Sequence, residues 1–160
     1  MVLRPYSKYD FPKLQHYKLH EEQHSLTMMP LDSLSICNDD ASRHPVVFED
    51  DGEIVTFFVL HEKEGVAPYS TTGDTILLRA FSTSAMHQRK GYAKKALQFL
   101  PTYLNEHFPY ITTIYLTVYL FNDSARNLYE KIGFVDTGAR EIRSGRELIV
   151  MKWEILNKMN

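Results

Sequence analysis

The sequence has little cysteine, no long apolar run and almost no net charge. Its 160 residues include one cysteine, which excludes a disulfide framework and a cysteine-rich metal site. Seven glycines and seven prolines exclude collagen-like and low-complexity chains. The longest apolar runs, such as residues 54–60, are too short to span a bilayer, and no signal-peptide pattern opens the chain. These absences predict one domain over residues 1–160, cytoplasmic and without a membrane anchor.

The small net charge of −2 conceals an uneven distribution along the chain. Residues 1–75 carry 6 Lys and Arg against 13 Asp and Glu, whereas residues 76–160 carry 12 against 7. This uneven distribution has two possible explanations. One is chance sorting of solvated surface charges, and the other is an anion site in the second half with a cation site in the first. Because the overall balance is acidic and no long basic patch is visible, we expect no nucleic-acid binding.

The pattern of apolar and turn residues predicts an α/β (α+β) fold. The predicted order is strand, two helices, three strands, helix, strand, helix and two strands. The first helix is expected over residues 10–24, and the third over residues 91–107 with a kink or break at Pro101. Strands at 75–83 and 111–121 enclose this third helix, so they should be parallel.

A segment between the fourth strand and its helix, QRKGYA at residues 88–93, has the composition of a pyrophosphate site. Gly91 and the small Ala93 allow a ligand to approach the backbone, and the first helical turn presents free N–H groups to an anion. Lys94 and Lys95 add positive charge. The alternative is a plain strand-to-helix turn with a solvated basic face.

A second segment, LFNDSARNLYEKIGF at residues 120–134, follows the next predicted strand. Together the two segments resemble the GNAT superfamily of acyl-CoA-dependent N-acyltransferases. The first fits the motif Q/R-x-x-G-x-G/A, with Ala93 in the last place, and the second fits N-x-x-A-x-x-L-Y-x-x-x-G-F. The resemblance covers residues 76–138, and outside that region it depends on the order of elements.

The resemblance implies a mixed, mostly antiparallel sheet, flanked by helices and splayed between parallel fourth and fifth strands. Acyl-CoA enters between the splayed strands. Strand backbone and two asparagines would contact its pantetheine arm, and the amides of the glycine-containing loop would bind its pyrophosphate. The cofactor-binding residues implied in this way are Phe81, Thr83, Gln88, Arg89, Lys90, Gly91, Tyr92, Ala93, Asn122 and Asn127.

The resemblance also places Tyr129 beside the thioester sulfur as the catalytic acid. A phenolic O–H there can protonate or hydrogen-bond the departing thiolate. A backbone N–H of the splayed strand, at Thr83, would stabilise the carbonyl oxygen as it gains charge. The alternative for Tyr129 is an ordinary amphipathic residue that packs beside Leu128 and Phe134.

The general base stays open, because the fourth strand contains Arg79 but no carboxylate or histidine. Water, relayed to backbone carbonyls, is one candidate. The side-chain candidates are His24, His44, His61 and Glu62.

Histidines at 16, 20 and 24 have the spacing of a metal-binding helix face. No Cys or carboxylate cluster accompanies them, so we predict a solvated stripe and no metal. Cys37 precedes two aspartates whose charge would raise its thiol pKa, which favours direct transfer over an acylated enzyme.

These observations predict an N-acetyltransferase that transfers an acetyl group from acetyl-CoA to a primary amine by direct attack in a ternary complex. The acidic first half favours a cationic amine, held by segments 20–36 and 63–74. Small polyamines, amino acids, aminoglycosides and peptide N-termini or lysines stay open as acceptors. One alternative is a non-catalytic acyl-CoA-binding sensor or interaction module, and another is an enzyme for longer acyl groups. The sequence does not indicate the oligomeric state.

Overall fold

The computed structural model describes residues 1–155, and seven strands form one sheet in the order β1-β2-β3-β4-β5-β7-β6. The strands are β1 (Val2–Pro5), β2 (Arg43–Asp50), β3 (Glu53–His61), β4 (Thr75–Thr83), β5 (Thr113–Tyr119), β6 (Val135–Arg143) and β7 (Arg146–Glu154). The helices are α1 (Phe11–Leu14), α2 (Pro30–Cys37), α3 (Tyr92–His107) and α4 (Asp123–Ile132). The predicted order of elements and the predicted fold class are confirmed.

The sheet splays between β4 and β5, which form its parallel pair. Their ladder joins Thr75 to Thr113 and ends where Leu77 pairs with Tyr115. Beyond that point β4 pairs with β3, and β5 pairs with β7. Residues 78–83 of β4 and 116–119 of β5 therefore diverge, and we call the gap between them the fork. The predicted splay is confirmed.

Helices cover both faces of the sheet, because alternate strand residues point to opposite sides. Leu97, Leu100 and Leu104 of α3 belong to the larger core cluster, with Phe58 of β3 and Ile76 of β4. The neighbouring strand positions face the opposite side of the sheet, where they pack against residues from α1, α2 and the segment after α1. This second core cluster includes Leu14, Tyr17, Leu34, Val47, Phe57 and Val59.

A β-bulge interrupts β4 at the base of the fork. Val59 pairs with Arg79 and Phe57 pairs with Ser82, so two β4 residues lie opposite one residue of β3. One of the two, Ala80, has a φ of 54°, in a region that residues other than glycine rarely adopt. Such a backbone distortion costs about 1–3 kcal/mol and occurs most often at functional sites.

The predicted first helix is wrong in length, since α1 ends at Leu14 and not near residue 24. Tertiary contacts hold the following segment in an irregular path. The Tyr17 hydroxyl donates a hydrogen bond of 2.7 Å to the Ser82 carbonyl, and the Ala85 amide donates one of 2.7 Å to the Lys18 carbonyl. The three histidines consequently do not share a helix face.

Pro101 does not break α3, which runs continuously from Tyr92 to His107. Proline costs the helix one hydrogen bond, but buried leucines on both sides of Pro101 hold it against the sheet. No helix among residues 1–155 is both long enough and apolar enough to cross a membrane.

Candidate active site

The N-terminus of α3 lies at the end of the loop that follows β4, and its first turn is open to a ligand. Gly91 is the N-cap with a φ of 81°, and Arg89 also has a positive φ of 65°. Within the described chain, no side chain caps this turn, and it contains no acidic residue. A Cβ built on Gly91 meets no described atom within 4 Å. Free amides, open space and the positive end of the helix dipole fit a pyrophosphate.

The predicted loop residues differ in how the protein uses their side chains. Arg89 and Lys90 are exposed. The Gln88 amide donates hydrogen bonds of 3.1 Å to the Thr83 carbonyl and 2.6 Å to Gln23 Oε1. The Tyr92 hydroxyl donates a hydrogen bond to the Asp50 carboxylate and so fixes the start of α3 to the end of β2. The geometry thus gives Gln88 and Tyr92 bracing roles, and leaves ligand contact to backbone amides and exposed cations.

Helix α4 begins at Asn122 on the other arm of the fork. The Asn122 Oδ1 caps the helix by accepting a hydrogen bond of 3.3 Å from the Ala125 amide. Asn127 is exposed one helical turn further on. Gly133 ends the helix with a φ of 134°, and a Cβ there would meet Trp153 Nε1 at 2.8 Å. The sequence pattern of this segment therefore sets both ends of α4 as predicted.

Tyr129 lies in the core beneath the fork, and β4 reaches it through Phe81. The two rings meet edge to face at 6.3 Å, and Tyr129 also contacts Phe134 at 5.6 Å. Burial raises the pKa of the Tyr129 hydroxyl above its ordinary value. That hydroxyl has no hydrogen-bond partner within residues 1–155. The phenol therefore stays protonated near neutral pH, and its O–H donates to no residue of the described chain.

A cavity of about 760 Å³ opens on the other side of β4, and we call it the central cavity. Its walls come from segments 24–33 and 64–69, from 77–80 of β4, and from Thr117 and Tyr119 of β5. The two segments predicted to hold the acceptor both line it, whereas none of the predicted cofactor residues does. Ala80 lines the cavity and its neighbour Phe81 contacts Tyr129, so the bulge is where the two sides meet.

Comparison with known proteins agrees with this geometry. Residues 6–134 match the acetyltransferase (GNAT) family. The chain belongs to the GNAT family of acetyltransferases. It is 39% identical over 147 residues to the Bacillus subtilis (strain 168) protein named uncharacterized N-acetyltransferase YbbJ, covering 91% of this chain and 92% of YbbJ. It is accordingly an acyl-CoA-dependent N-acetyltransferase, and the predicted family and enzyme class are confirmed.

Two solved structures share this GNAT fold at low sequence identity. One is a spermidine N-acetyltransferase SpeG chimera from Vibrio cholerae and hSSAT, with a TM-score of 0.72, 20% identity, and coverage of 100% of this chain and 99% of that one. The other is AAC(6')-Ib in complex with paromomycin and acetyl-CoA, with a TM-score of 0.73, 17% identity, and coverage of 96% and 92%.

Only two of the four side-chain candidates for the general base of this GNAT enzyme line the central cavity. His44 and Glu62 bond each other at 3.0 Å, and Tyr110 donates to Glu62 at 2.7 Å, away from the cavity. His61 lines the cavity, but burial, together with two nearby arginines, lowers its pKa to about 4. With so low a pKa, the His61 imidazole is a weak base and a poor acceptor for the proton of an amine. His24, exposed at the cavity wall, and water remain.

The structure brings together residues that the sequence analysis did not assign to the site. Arg43, Arg79 and Arg143 come from three different strands and converge on the central cavity. Arg79 carried a signal in the sequence, because a charge within an otherwise apolar strand needs a partner or a role. The other two are ordinary strand-end charges until the fold places them. Within residues 1–155, no group of three or more His, Cys, Asp or Glu is arranged to hold a metal ion.

Proposed function

We propose that this GNAT enzyme transfers an acetyl group from acetyl-CoA to a primary amine by direct attack in a ternary complex. The observation that carries the proposal is the fork itself. An uncapped helix N-terminus flanked by basic residues lies on one side of β4, and a cavity lies on the other. The two sides meet at the strained bulge of Ala80 and Phe81, so that two substrates can approach one point from opposite directions.

The residues present fit acetyl-CoA. The first-turn amides of α3, from Tyr92 and Ala93, and the cations of Arg89 and Lys90 would hold the pyrophosphate. Phe81 and Thr83, on the β4 arm whose edge toward β5 is unpaired, would bond the pantetheine arm from one side, with Asn122 and Asn127 on the other. The complex of AAC(6')-Ib with acetyl-CoA supports this choice of donor, since the two proteins share the fold.

The reaction needs three groups: a hydrogen-bond donor to the carbonyl oxygen, a proton donor to the sulfur and a proton acceptor for the amine. The acceptor nitrogen attacks the thioester carbonyl carbon, the C–S bond breaks, the nitrogen loses a proton and the sulfur gains one. An N–H of the bulged strand, at Thr83 or at the bulge itself, would stabilise the carbonyl oxygen as it gains charge. Tyr129 would donate its free hydrogen bond to the sulfur, because its raised pKa keeps the phenol protonated. Water or His24 would accept the proton of the amine.

Direct attack is favoured over an acetylated enzyme because the one cysteine is a poor nucleophile. Burial raises the pKa of the Cys37 thiol and outweighs the nearby charges, of which Arg43 lowers the pKa and Asp40 raises it. Cys37 also packs against the apolar cluster on its side of the sheet. The pKa of the thiol is raised as predicted, but burial is the main cause; of the two aspartates only Asp40 contributes, and less than Arg43 opposes.

The acceptor is proposed from the cavity and from the family. The SpeG chimera is named a spermidine N-acetyltransferase, and AAC(6')-Ib is bound to paromomycin, so amines of different sizes occur as ligands on this fold. The cavity holds Asp32 and Glu64, which suit the ammonium form in which an amine arrives. A purely cationic acceptor, a cytoplasmic location and a single domain over residues 1–160 stay predictions; residues 156–160 lie outside the described chain.

Thiol release from acetyl-CoA across a panel of primary amines tests the proposal. We expect release that depends on the amine, and a product in which one acetyl group has replaced a hydrogen of the amine, a mass gain of C2H2O. The intact mass of the enzyme should not change on incubation with acetyl-CoA alone, and Cys37→Ser should retain activity. Binding of acetyl-CoA without release on any amine would instead support the non-catalytic module. Release only with longer acyl-CoA donors would support the third interpretation.

A further inference from the structure

Arg79 faces the central cavity without a counterion. It lies on β4 directly before the bulge, it is half-buried, and it lines the cavity. Within residues 1–155, no Asp or Glu oxygen lies within 4.0 Å of its guanidinium. An unpaired charge removed from water is costly, so a position of this kind requires either a role or a ligand.

The neighbouring arginines of the cavity are already neutralised. Arg43 Nε lies 3.2 Å from Asp40 Oδ2, and Arg143 Nη2 lies 2.7 Å from Glu141 Oε2. Neither carboxylate is left over for Arg79, whose pKa is lowered by burial and by the charges of these two arginines. The cationic excess in this part of the cavity is therefore concentrated on one guanidinium.

The partner that Arg79 does have is neutral and fixes its direction. Arg79 Nη1 donates to His61 Nδ1 at 3.1 Å, and the other ring nitrogen of His61 lies 3.1 Å from Ser42 Oγ. Because the lowered pKa keeps His61 uncharged near neutral pH, it orients the guanidinium without cancelling its charge. One N–H of the guanidinium is used in this way, which leaves the others for a ligand.

A second unpaired polar group lies in the same wall. Ser33 is buried and lines the cavity, and its hydroxyl has no hydrogen-bond partner among the residues that the structure describes. Asp32 and Glu64 line the cavity without an ion pair to any residue of 1–155. The cavity thus offers a half-buried cation and a buried hydroxyl without partners, beside two solvent-exposed carboxylates. A zwitterion brings a carboxylate to the cation and an ammonium group to the carboxylates, whereas a polyamine brings only cations.

We infer that the acceptor is a free α-amino acid, whose carboxylate binds the Arg79 guanidinium while its amine reaches the thioester at the bulge. The inference rests on the proposed acetyl transfer and names its substrate class. The planar guanidinium matches the two oxygens of a carboxylate. In an α-amino acid one carbon separates the nitrogen from the carboxylate, and Arg79 and Ala80 both line the cavity, so the carboxylate would bind the guanidinium while the amine faces the bulge. A cavity of about 760 Å³ accommodates such a molecule.

The test compares matched amines on matched variants. Initial rates of thiol release from acetyl-CoA are measured with the proteinogenic amino acids, with their carboxamides, and with spermidine. The enzymes are wild type, Arg79→Gln, Arg79→Lys and the control Arg140→Gln, whose arginine pairs with Asp136 outside the cavity. The readout is the ratio of kcat/KM for an amino acid to that for its carboxamide. A folding fault lowers both rates together and leaves the ratio unchanged.

We expect the best substrate to be an amino acid that exceeds its carboxamide by at least about 100-fold, since a buried charge pair loses one partner in the carboxamide. Arg79→Gln should reduce this ratio to below about tenfold, Arg79→Lys should give an intermediate ratio, and Arg140→Gln should preserve it. Equal rates for amino acid and carboxamide, a preference for spermidine, or an unchanged ratio in Arg79→Gln would overturn the inference alone. Thermal stabilisation by acetyl-CoA without transfer to any amine would overturn the proposed function as well.

Discussion

Gly65→Ala tests whether His61 is held as tightly as the structure shows. A Cβ on Gly65 would lie 2.2 Å from His61 Cγ and 2.3 Å from Nδ1, far inside contact distance, although the backbone at Gly65 is not in the left-handed region. The imidazole must move, and it is buried between Arg79 and Ser42, to which it is hydrogen-bonded. Overpacking costs about 1–3 kcal/mol. Two disturbed hydrogen bonds add about 0.5–1.5 kcal/mol each.

We therefore expect Gly65→Ala to lower the free energy of unfolding by about 2–6 kcal/mol, a fall in Tm of roughly 4–24 °C for a chain of this length. The matched control is Gly73→Ala, where a Cβ meets no described atom within 4 Å. That change should leave stability unaltered or raise it by up to about 1 kcal/mol. Thermal and urea unfolding measure both. The double variant Gly65→Ala/His61→Ala has no imidazole for the new methyl group to meet. Its loss of unfolding free energy should therefore be smaller than the sum of the losses in the two single variants. Equal stability of Gly65→Ala and Gly73→Ala would refute the steric argument.

Three further changes test other parts of the structure. Asp10→Asn removes the carboxylate that Arg4 holds at 2.8 Å, and should cost about 1–3 kcal/mol at pH 7 in urea unfolding. Because that hydrogen bond lowers the pKa of Asp10, its contribution is present above the ordinary value of 3.8 and disappears as pH falls below it, so the two proteins should converge in acid. Tyr17→Phe removes the buried hydroxyl that bonds both the carbonyl and the side chain of Ser82, and should cost about 1–3 kcal/mol in urea unfolding. Gly91→Ala forces alanine into a left-handed conformation and places a methyl group in the open space proposed for the pyrophosphate. It should weaken acetyl-CoA binding in calorimetry about 10–100-fold, and unchanged affinity would contradict the proposed pyrophosphate site.

Local chemistry explains why much of the fold was predictable. Asn122 and Gly133 bound α4 with a side-chain cap and a residue that tolerates positive φ, and both signals are local. The strand-helix-strand unit around α3 fixes β4 and β5 as parallel neighbours by the handedness of such connections. The predictions failed where distant contacts decide the path. Tyr17 is bonded to Ser82, far along the chain, and that contact replaces the helix expected beyond α1.

The candidate site divides in the same way. The loop around Gly91 and the α4 segment with Tyr129 are contiguous patterns, so the sequence identifies them directly. The residues of the central cavity are not contiguous in sequence, since Arg43, Arg79 and Arg143 come together only when the fold places β2, β4 and β6 around it. The low pKa of His61 likewise depends on burial and on those arginines, which no local pattern encodes.

The most direct measurement of the central claim is the turnover of Tyr129→Phe beside that of Tyr103→Phe. Both tyrosines are buried core residues whose pKa is raised by burial, but only Tyr129 contacts Phe81 at the fork, whereas Tyr103 lies on α3 against His107. With the best amine of the panel, Tyr129→Phe should lower kcat for thiol release from acetyl-CoA about 100-fold or more. Its Tm and its affinity for acetyl-CoA should stay close to wild type, and Tyr103→Phe should turn over normally. Wild-type turnover in Tyr129→Phe would contradict the account.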